Sequence, residues 1–268
     1  MRSSPIIAVI IASSFCLCCS AQAPVKKRIK KGRRNKTEHL LTLDKKTLEA
    51  DWEFGYEVIT DSLENYVYPN LALRYGISNS VEINLETNPL TTVQTTPAGK
   101  QKTSGMEPIF IGTRIKLCDE KKYLPAMALS LQVAPPFAAT KNYSATYWAP
   151  FAQYTLQKYF GYHFSLDLTG GVLWDGFSTT PSYLFTVSPS YDFNDTWNIT
   201  ADVFGFTASH GKPLNNFDIG FTCQLNEKLS FGAIAGKGIT SAAHKGYFGI
   251  NGSYTFDLKR DKIKTKTL

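Results

Sequence analysis

The alternation of apolar and polar residues is the main structural signal in this chain. Near its C-terminal end, Phe248, Ile250, Tyr254 and Phe256 alternate with small or polar residues. A period of two is typical of a β-strand with one apolar and one polar face. The segment is about ten residues long, the length that a tilted strand needs to cross a bilayer. The pattern therefore predicts a membrane-crossing strand that closes a barrel by pairing with the first strand.

The same alternation recurs along most of the chain. It begins at Ala50, where Trp52 and Phe54 alternate with acidic and small residues, whereas a helix would scatter these apolar residues among the acids. In the second segment it places Val67 on the apolar face and Tyr68 on the opposite, inner face. Further segments up to residue 256 bring the total to about twelve strands, an even number, as a closed antiparallel barrel requires.

The predicted connections alternate between short and long. Turns such as Ile77–Ser80 and Asn226–Lys228 follow the even strands, whereas longer loops such as Asn88–Gly105 and Ala134–Ser144 mostly follow the odd ones. This asymmetry is typical of an outer-membrane barrel with short periplasmic turns and longer extracellular loops. The Asn88–Gly105 segment contains Pro, Thr and Gly, which predicts a long loop that is able to plug the barrel.

Composition agrees with this fold once the residues are sorted by face. A mean hydropathy of −0.18 is compatible with a membrane barrel, because each strand presents its polar residues to the interior. The aromatic content of 13% is high, as girdles at the two membrane interfaces would require. Gly, Ala and Ser on the inner faces of the last strands predict free space on that side of the barrel.

The formal charge of +7 is concentrated in the two ends of the chain. Residues 24–36 have eight Lys or Arg and no acid, and residues 257–268 have five Lys or Arg against two Asp. Between them the body has a net charge of about −5. A basic run of this kind is able to contact nucleic acid, anionic lipid or a cell-wall polymer, although such runs are more often solvated arms.

The N-terminal residues predict export. Met1-Arg2 is followed by the apolar stretch Ile6–Leu17 and then by small residues, including Ala21, as in a cleavable signal peptide. Three cysteines in this stretch raise a lipoprotein as the alternative, but none follows the usual lipidation pattern. The predicted organisation is a signal peptide at 1–21, a basic periplasmic arm at 22–47, a barrel at 48–256 and a basic periplasmic tail at 257–268. The predicted location is the cell outer membrane, after removal of the signal peptide.

Charged residues on the inner faces are the candidate functional groups. Acids and bases of the first four strands are expected to form cross-strand ion pairs, which either fill the barrel or set its solute preference. Acids outnumber bases, so an open pore should favour cations modestly. The predicted lumen-lining residues are Glu53, Glu57, Arg74, Glu82, Glu86, Arg114, Lys116, Asp167, Asp202 and Asp218.

Motifs for enzymatic chemistry are missing from the sequence. There is no GxSxG, HExxH, P-loop or GxGxxG segment, and no Cys/His spacing that is typical of a metal site. Of the four histidines, only His163 is predicted on an inner face. The sequence therefore predicts no catalytic residues, no metal and no cofactor.

Several segments resemble a known family of bacterial outer-membrane barrels. They are Asn70-Leu-Ala-Leu-Arg-Tyr-Gly-Ile-Ser-Asn-Ser-Val-Glu-Ile, Ile111-Gly-Thr-Arg-Ile-Lys-Leu, Asn216-Phe-Asp-Ile-Gly-Phe-Thr and Tyr247-Phe-Gly-Ile-Asn-Gly-Ser-Tyr-Thr-Phe. The family is that of the phenol-degradation MetA pathway, also described as a transporter family, and the resemblance spans roughly residues 50–256. It implies a membrane barrel that passes small, often aromatic, molecules. Such barrels commonly end at an aromatic residue, but here twelve residues follow Phe256.

The leading functional hypothesis is an outer-membrane channel for passive diffusion of small solutes, with aromatic or hydrophobic compounds as the candidate class. One alternative is a non-transporting barrel that anchors the outer membrane to the cell wall or to anionic lipid. Its contacts would be Lys26, Lys27, Arg28, Lys30, Lys31, Arg33 and Arg34. A membrane-embedded hydrolase is a second alternative, and a secreted, soluble β-protein is a third. The expected partners are outer-membrane lipid and a small solute, with no role for nucleic acid.

Overall fold

The computed structural model describes residues 42–208 and 213–258. The predicted signal peptide, most of the basic arm and nearly all of the basic tail lie outside these ranges. Within them, no helix is long and apolar enough to cross a membrane. The strands are β1 Thr47–Thr60, β2 Leu63–Ser78, β3 Val81–Thr87, β4 Pro89–Thr96, β5 Gly99–Met106, β6 Phe110–Cys118, β7 Ala126–Ala134, β8 Ala149–Phe160, β9 Phe164–Leu173, β10 Ser182–Asp192, β11 Trp197–Ala208, β12 Leu214–Gln224, β13 Leu229–Gly238 and β14 Gly246–Asp257.

Twelve of these strands form a closed antiparallel barrel, as the alternation predicted. Each pairs with its neighbours in chain order, except that β3 pairs with β6 because β4 and β5 form a separate hairpin. The first and last strands close the barrel in a continuous register from Thr47↔Asp257 to Val58↔Gly246. Closure matters because an unpaired strand edge would leave backbone groups unsatisfied in lipid.

The two faces of the wall differ as a membrane barrel requires. On β14, Phe248 and Ile250 are 49% and 52% exposed, whereas the alternating Asn251 and Ser253 are 4% and 5% exposed. Large exposed apolar residues recur on the same face of the other barrel strands. This face is outward and suits hydrocarbon, while the polar face points into the lumen.

Short and long connections lie at opposite ends of the barrel. At the turn end, β10 and β11 are joined by residues 193–196, and β12 and β13 by residues 225–228. At the loop end, β7 and β8 are joined by residues 135–148. Both ends of the barrel sequence, Thr47 and Asp257, lie at the turn end.

The Asn88–Gly105 segment contains a β-hairpin, so the prediction of a long loop without strands is wrong. Strand β4 pairs with the first part of β2, between Leu63 and Val67, and β5 returns along β4. Gly99, with φ of 123°, forms the reversal. The four Thr and one Val of β4 are β-branched and favour a strand. The hairpin therefore prolongs the barrel wall at the loop end.

A β-bulge in β2 reverses two of the predicted face assignments. Glu53 pairs with Asn70 but Gly55 pairs with Val67, so β2 has one extra residue at this point. Val67 consequently lies opposite the inward position of Gly55, and Tyr68 is 50% exposed instead of pointing inward. The bulge lies beside Pro69, which has no N–H to donate to the neighbouring strand.

The segment that precedes β1 contacts the barrel wall. The Leu43 N–H donates to Glu82 Oε2 at 2.9 Å, and the Lys46 N–H donates to the Gly76 carbonyl at 2.8 Å. Lys46 has φ of 63°, which reverses the chain between this segment and β1. Residues 42–46 therefore pack across the turn end of the barrel.

Gly76 is expected to be intolerant of a side chain. An added Cβ would lie 2.2 Å from the Asp44 carbonyl oxygen, so Gly76→Ala should displace residues 42–46 and lower the free energy of unfolding by about 1–3 kcal/mol. Urea titration of the protein in lipid vesicles, followed by tryptophan fluorescence, measures this. Gly170→Ala is the matched control, because a Cβ there meets nothing within 4 Å. Equal stability of the two variants would contradict the packing of residues 42–46.

Candidate functional site: the barrel lumen

All ten predicted lumen-lining residues lie at inward positions of barrel strands. Glu82, Asp202 and Asp218 are fully buried, and Arg114 is 4% exposed. Glu53 and Glu86 lie at inward positions of β1 and β3, and the other eight fall in two regions of the wall. One contains paired acids and bases, and the other is almost entirely acidic.

The paired region is centred on Arg74 and is called here the arginine network. Arg74 Nε and Nη2 donate to the two carboxylate oxygens of Glu82 at 2.8 and 3.0 Å, and Nη1 donates to Glu49 Oε1 at 2.9 Å. Such fork-to-carboxylate contacts are among the stronger polar interactions in proteins. On the far side of Glu49, the Thr255 hydroxyl donates to Oε2 at 3.0 Å. The network thus connects β1, β2, β3 and β14.

Arg114 extends this network to β6 and β7. Its Nη1 lies 3.5 Å from Glu82 Oε1, and its Nε donates to the Ser130 hydroxyl at 3.1 Å. Two arginines therefore contact two glutamates inside the wall. Lys116 departs from the expected pattern, because it pairs at 2.8 Å with Asp119 in the following turn.

Glu49 is the participant that sequence reasoning missed. The alternation became clear only at Ala50, whereas β1 begins at Thr47 and places Glu49 inward and opposite Arg74. Extending the alternation from Ala50 back to Thr47, the first residue of β1, would have included Glu49. The sequence instead predicts that the basic arm continues to residue 47.

The second region contains a row of inward residues that lie opposite one another on successive strands. Asp202 lies directly opposite Asp218, followed across the next strands by Gly236, Tyr247 and Glu57. The Tyr247 hydroxyl donates to Asp218 Oδ2 at 2.6 Å, and the Ser188 hydroxyl donates to Asp202. Asp202, Asp218 and Glu57 are called the acidic row.

Side chains fill the space expected beside the last strands. A Cβ at Gly236 would lie 2.3 Å from the Tyr247 ring, and one at Gly232 would lie 2.5 Å from Asn251 Oδ1. The inward glycines therefore accommodate the larger side chains of β14. The prediction of free space at these two positions is wrong.

Basic residues are scarce on the strands that include the acidic row. Strands β7 to β14 contain two, Lys158 and Lys237, and both alternate with inward residues, so they point outward. Asp167 and Asp192 add further inward carboxylates to this wall. The inward charged residues of strands β7 to β14 are therefore acidic.

Glu107 adds an acid at the loop end, between β5 and β6. Its carboxylate accepts a hydrogen bond from Asn88 Nδ2 at 2.6 Å. Burial raises the pKa of Glu107 above its usual range, because the charged form loses hydration. The negative charge of Glu57 acts in the same direction.

His163 does not line the lumen, contrary to the sequence-based expectation. It lies exposed in the turn between β8 and β9, with Nδ1 2.7 Å from the Asp192 carbonyl oxygen and its ring stacked on Tyr191. Within residues 42–208 and 213–258, no group of three or more His, Cys, Asp or Glu side chains is arranged to hold a metal ion.

Fold and lumen together define a transmembrane β-barrel of the outer-membrane type. The model of the family described as "Putative MetA-pathway of phenol degradation" matches residues 48–256, and the chain belongs to this family. The resemblance noted in the sequence is thereby confirmed. No curated protein matches the chain.

Solved structures of outer-membrane proteins share the fold. An outer membrane channel from Pseudomonas putida F1 is 14% identical with a TM-score of 0.68, and the match covers 83% of this chain and all of that one. The KdgM porin is 8% identical with a TM-score of 0.54, covering 78% and 99%. The NanC porin is 8% identical with a TM-score of 0.53, covering 76% and 98%.

Proposed function

We propose that this protein is an outer-membrane channel through which small solutes diffuse passively. The observation that carries the proposal is the closed twelve-stranded barrel with an apolar outer face and a charged, polar inner face. A barrel of this size is intermediate between small barrels filled by side chains and wide porins, so it suits a narrow path. Solutes pass fixed groups of the lumen without covalent chemistry.

The proposed location is the outer membrane, with the turn end in the periplasm and the loop end outside. The asymmetry of the connections supports this orientation, because outer-membrane barrels have short periplasmic turns. In this orientation the basic segments before Thr47 and after Asp257 both begin on the periplasmic side.

Phenol-like compounds are the first solutes to test. The family description, which names phenol degradation, supports aromatic molecules as the candidate class. The inner wall adds a charge preference, because acids exceed bases on the strands β7 to β14. We therefore expect cations to pass more readily than anions of the same size.

Purified protein in planar bilayers should produce stepwise conductance that favours potassium over chloride. Liposomes containing the protein should also take up a phenol-like solute faster than empty liposomes do. A sugar-sized solute gives the size limit, and empty liposomes give the rate at which phenol crosses lipid alone.

A folded barrel that conducts nothing and passes neither solute would refute the channel. Folding is verified separately by the change in gel mobility on heating, which intact membrane barrels display. That outcome would favour the anchoring alternative and direct attention to the basic residues 24–36.

A further inference from the structure

An apolar cluster lies beside the acidic row on the inner wall. Phe204, Ile234 and Tyr247 are 4%, 5% and 8% exposed and pack together inside the barrel. Phe204 follows Asp202 by two residues on the same inward face of β11. Buried aromatic rings and buried carboxylates therefore share one part of the lumen.

The two aspartates are placed to act together on one positive group. Residues directly opposite on antiparallel strands have Cβ atoms about 4.5–5.5 Å apart, so one cation can contact both Asp202 and Asp218. Both carboxylates are fully buried, and a low dielectric strengthens their attraction for a cation.

A buried amide oxygen provides an independent indication of a donor-bearing ligand. Asn216 lies two residues from Asp218 on the same inward face and directly opposite Phe204. It is 5% exposed, and its Oδ1 has no hydrogen-bond partner among the residues that the structure describes. Buried polar atoms normally have a partner, so this acceptor points to a ligand with N–H or O–H groups.

We propose that the acidic row and the apolar cluster form a binding site for a small organic cation, an amine with an apolar or aromatic body. Its ammonium group contacts Asp202 and Asp218 and donates to Asn216 Oδ1. In doing so it replaces the Tyr247 hydroxyl as the donor to Asp218. The body packs against Phe204 and the Tyr247 ring, where aromatic faces add cation–π attraction. This inference rests on the proposed channel function in one respect, namely that the amine reaches the site through the lumen.

Calorimetry of the full-length protein in detergent tests the site with 2-phenylethylammonium. The neutral 2-phenylethanol has nearly the same shape, and phenylacetate has the opposite charge. We expect the ammonium to bind about tenfold more tightly than the alcohol, because a charge-assisted hydrogen bond contributes a free energy of binding of about that size. Phenylacetate should not bind. Equal binding of the ammonium and the alcohol would overturn the proposal.

Variants separate the site from non-specific attraction. Asp218→Asn should weaken ammonium binding about tenfold, whereas Asp195→Asn, in an exposed turn, should leave it unchanged. An unaltered affinity in a folded Asp218→Asn variant would overturn the proposal. Ammonium binding that appears only after residues 24–36 are removed would also overturn the proposal, because the acidic row would then bind the chain's own basic segment.

Conductance recorded on the same preparations distinguishes this inference from the channel itself. A protein that conducts potassium but does not bind the amine retains the proposed function and loses the site. A protein that binds the amine but conducts nothing retains the site and loses the channel. When both hold, the amine should block potassium current in the wild type, and Asp218→Asn should need about tenfold more amine for the same block.

Discussion

Replacing Glu82 with glutamine should lower the free energy of unfolding by about 3–5 kcal/mol. Glu82 is fully buried and is the acid that Arg74 and Arg114 share, with its nearest contact, to Arg74 Nε, at 2.8 Å. The amide keeps the shape of the side chain but removes the carboxylate that both buried guanidinium groups contact. Urea titration in vesicles of fixed lipid composition, followed by tryptophan fluorescence, measures the loss.

Asp119→Asn is the matched control for this prediction. Asp119 also forms an ion pair, with its Oδ1 2.8 Å from Lys116 Nζ, but its side chain is 75% exposed. Exposed pairs contribute about 0–1 kcal/mol, so this carboxylate-to-amide change should have little effect. Similar stability of the two variants would contradict the structural role of the arginine network.

Replacing Ile250 with arginine should cost about 2–4 kcal/mol, because the charge would lie in hydrocarbon near the middle of the bilayer. Ile250 lies in the middle of β14 and is 52% exposed on the outward face. The measurement is the same urea titration in vesicles, combined with the gel-mobility test for folding.

Phe256→Arg shows whether depth decides this cost. Phe256 is also outward, at 43% exposed, but it lies at the turn end of the same strand. Near a membrane interface the penalty falls to about 0–1 kcal/mol. If both arginines cost the same, depth does not decide the penalty, and the position of β14 in the bilayer would have to be reassigned.

The strand pattern was readable because each barrel strand faces two different environments. Lipid on one side and a polar lumen on the other impose a period of two, so residues such as Phe248 and Asn251 reveal their faces directly. Closure followed from the same pattern, since an open edge is unstable in lipid.

Exceptions arose where backbone pairing breaks the period. The extra residue in β2 exchanged the expected faces of Val67 and Tyr68, and nothing in a period of two marks such an insertion. The β4–β5 hairpin was hidden by its Pro and Gly residues, which local rules assign to a loop. Pairing with β2 supplies the hydrogen bonds that make this segment a strand.

The order of residues alone established the fold class, the outer and inner faces, and the excess of acid in the lumen, because these depend on local alternation and composition. The contacts within the lumen depend on register, which only closure of the barrel sets. The register places Glu49 opposite Arg74 and Asp202 opposite Asp218. It also places the Tyr247 ring against the backbone of Gly236. These residues are distant in the chain or lie on different strands, so their contacts exist only in the tertiary structure.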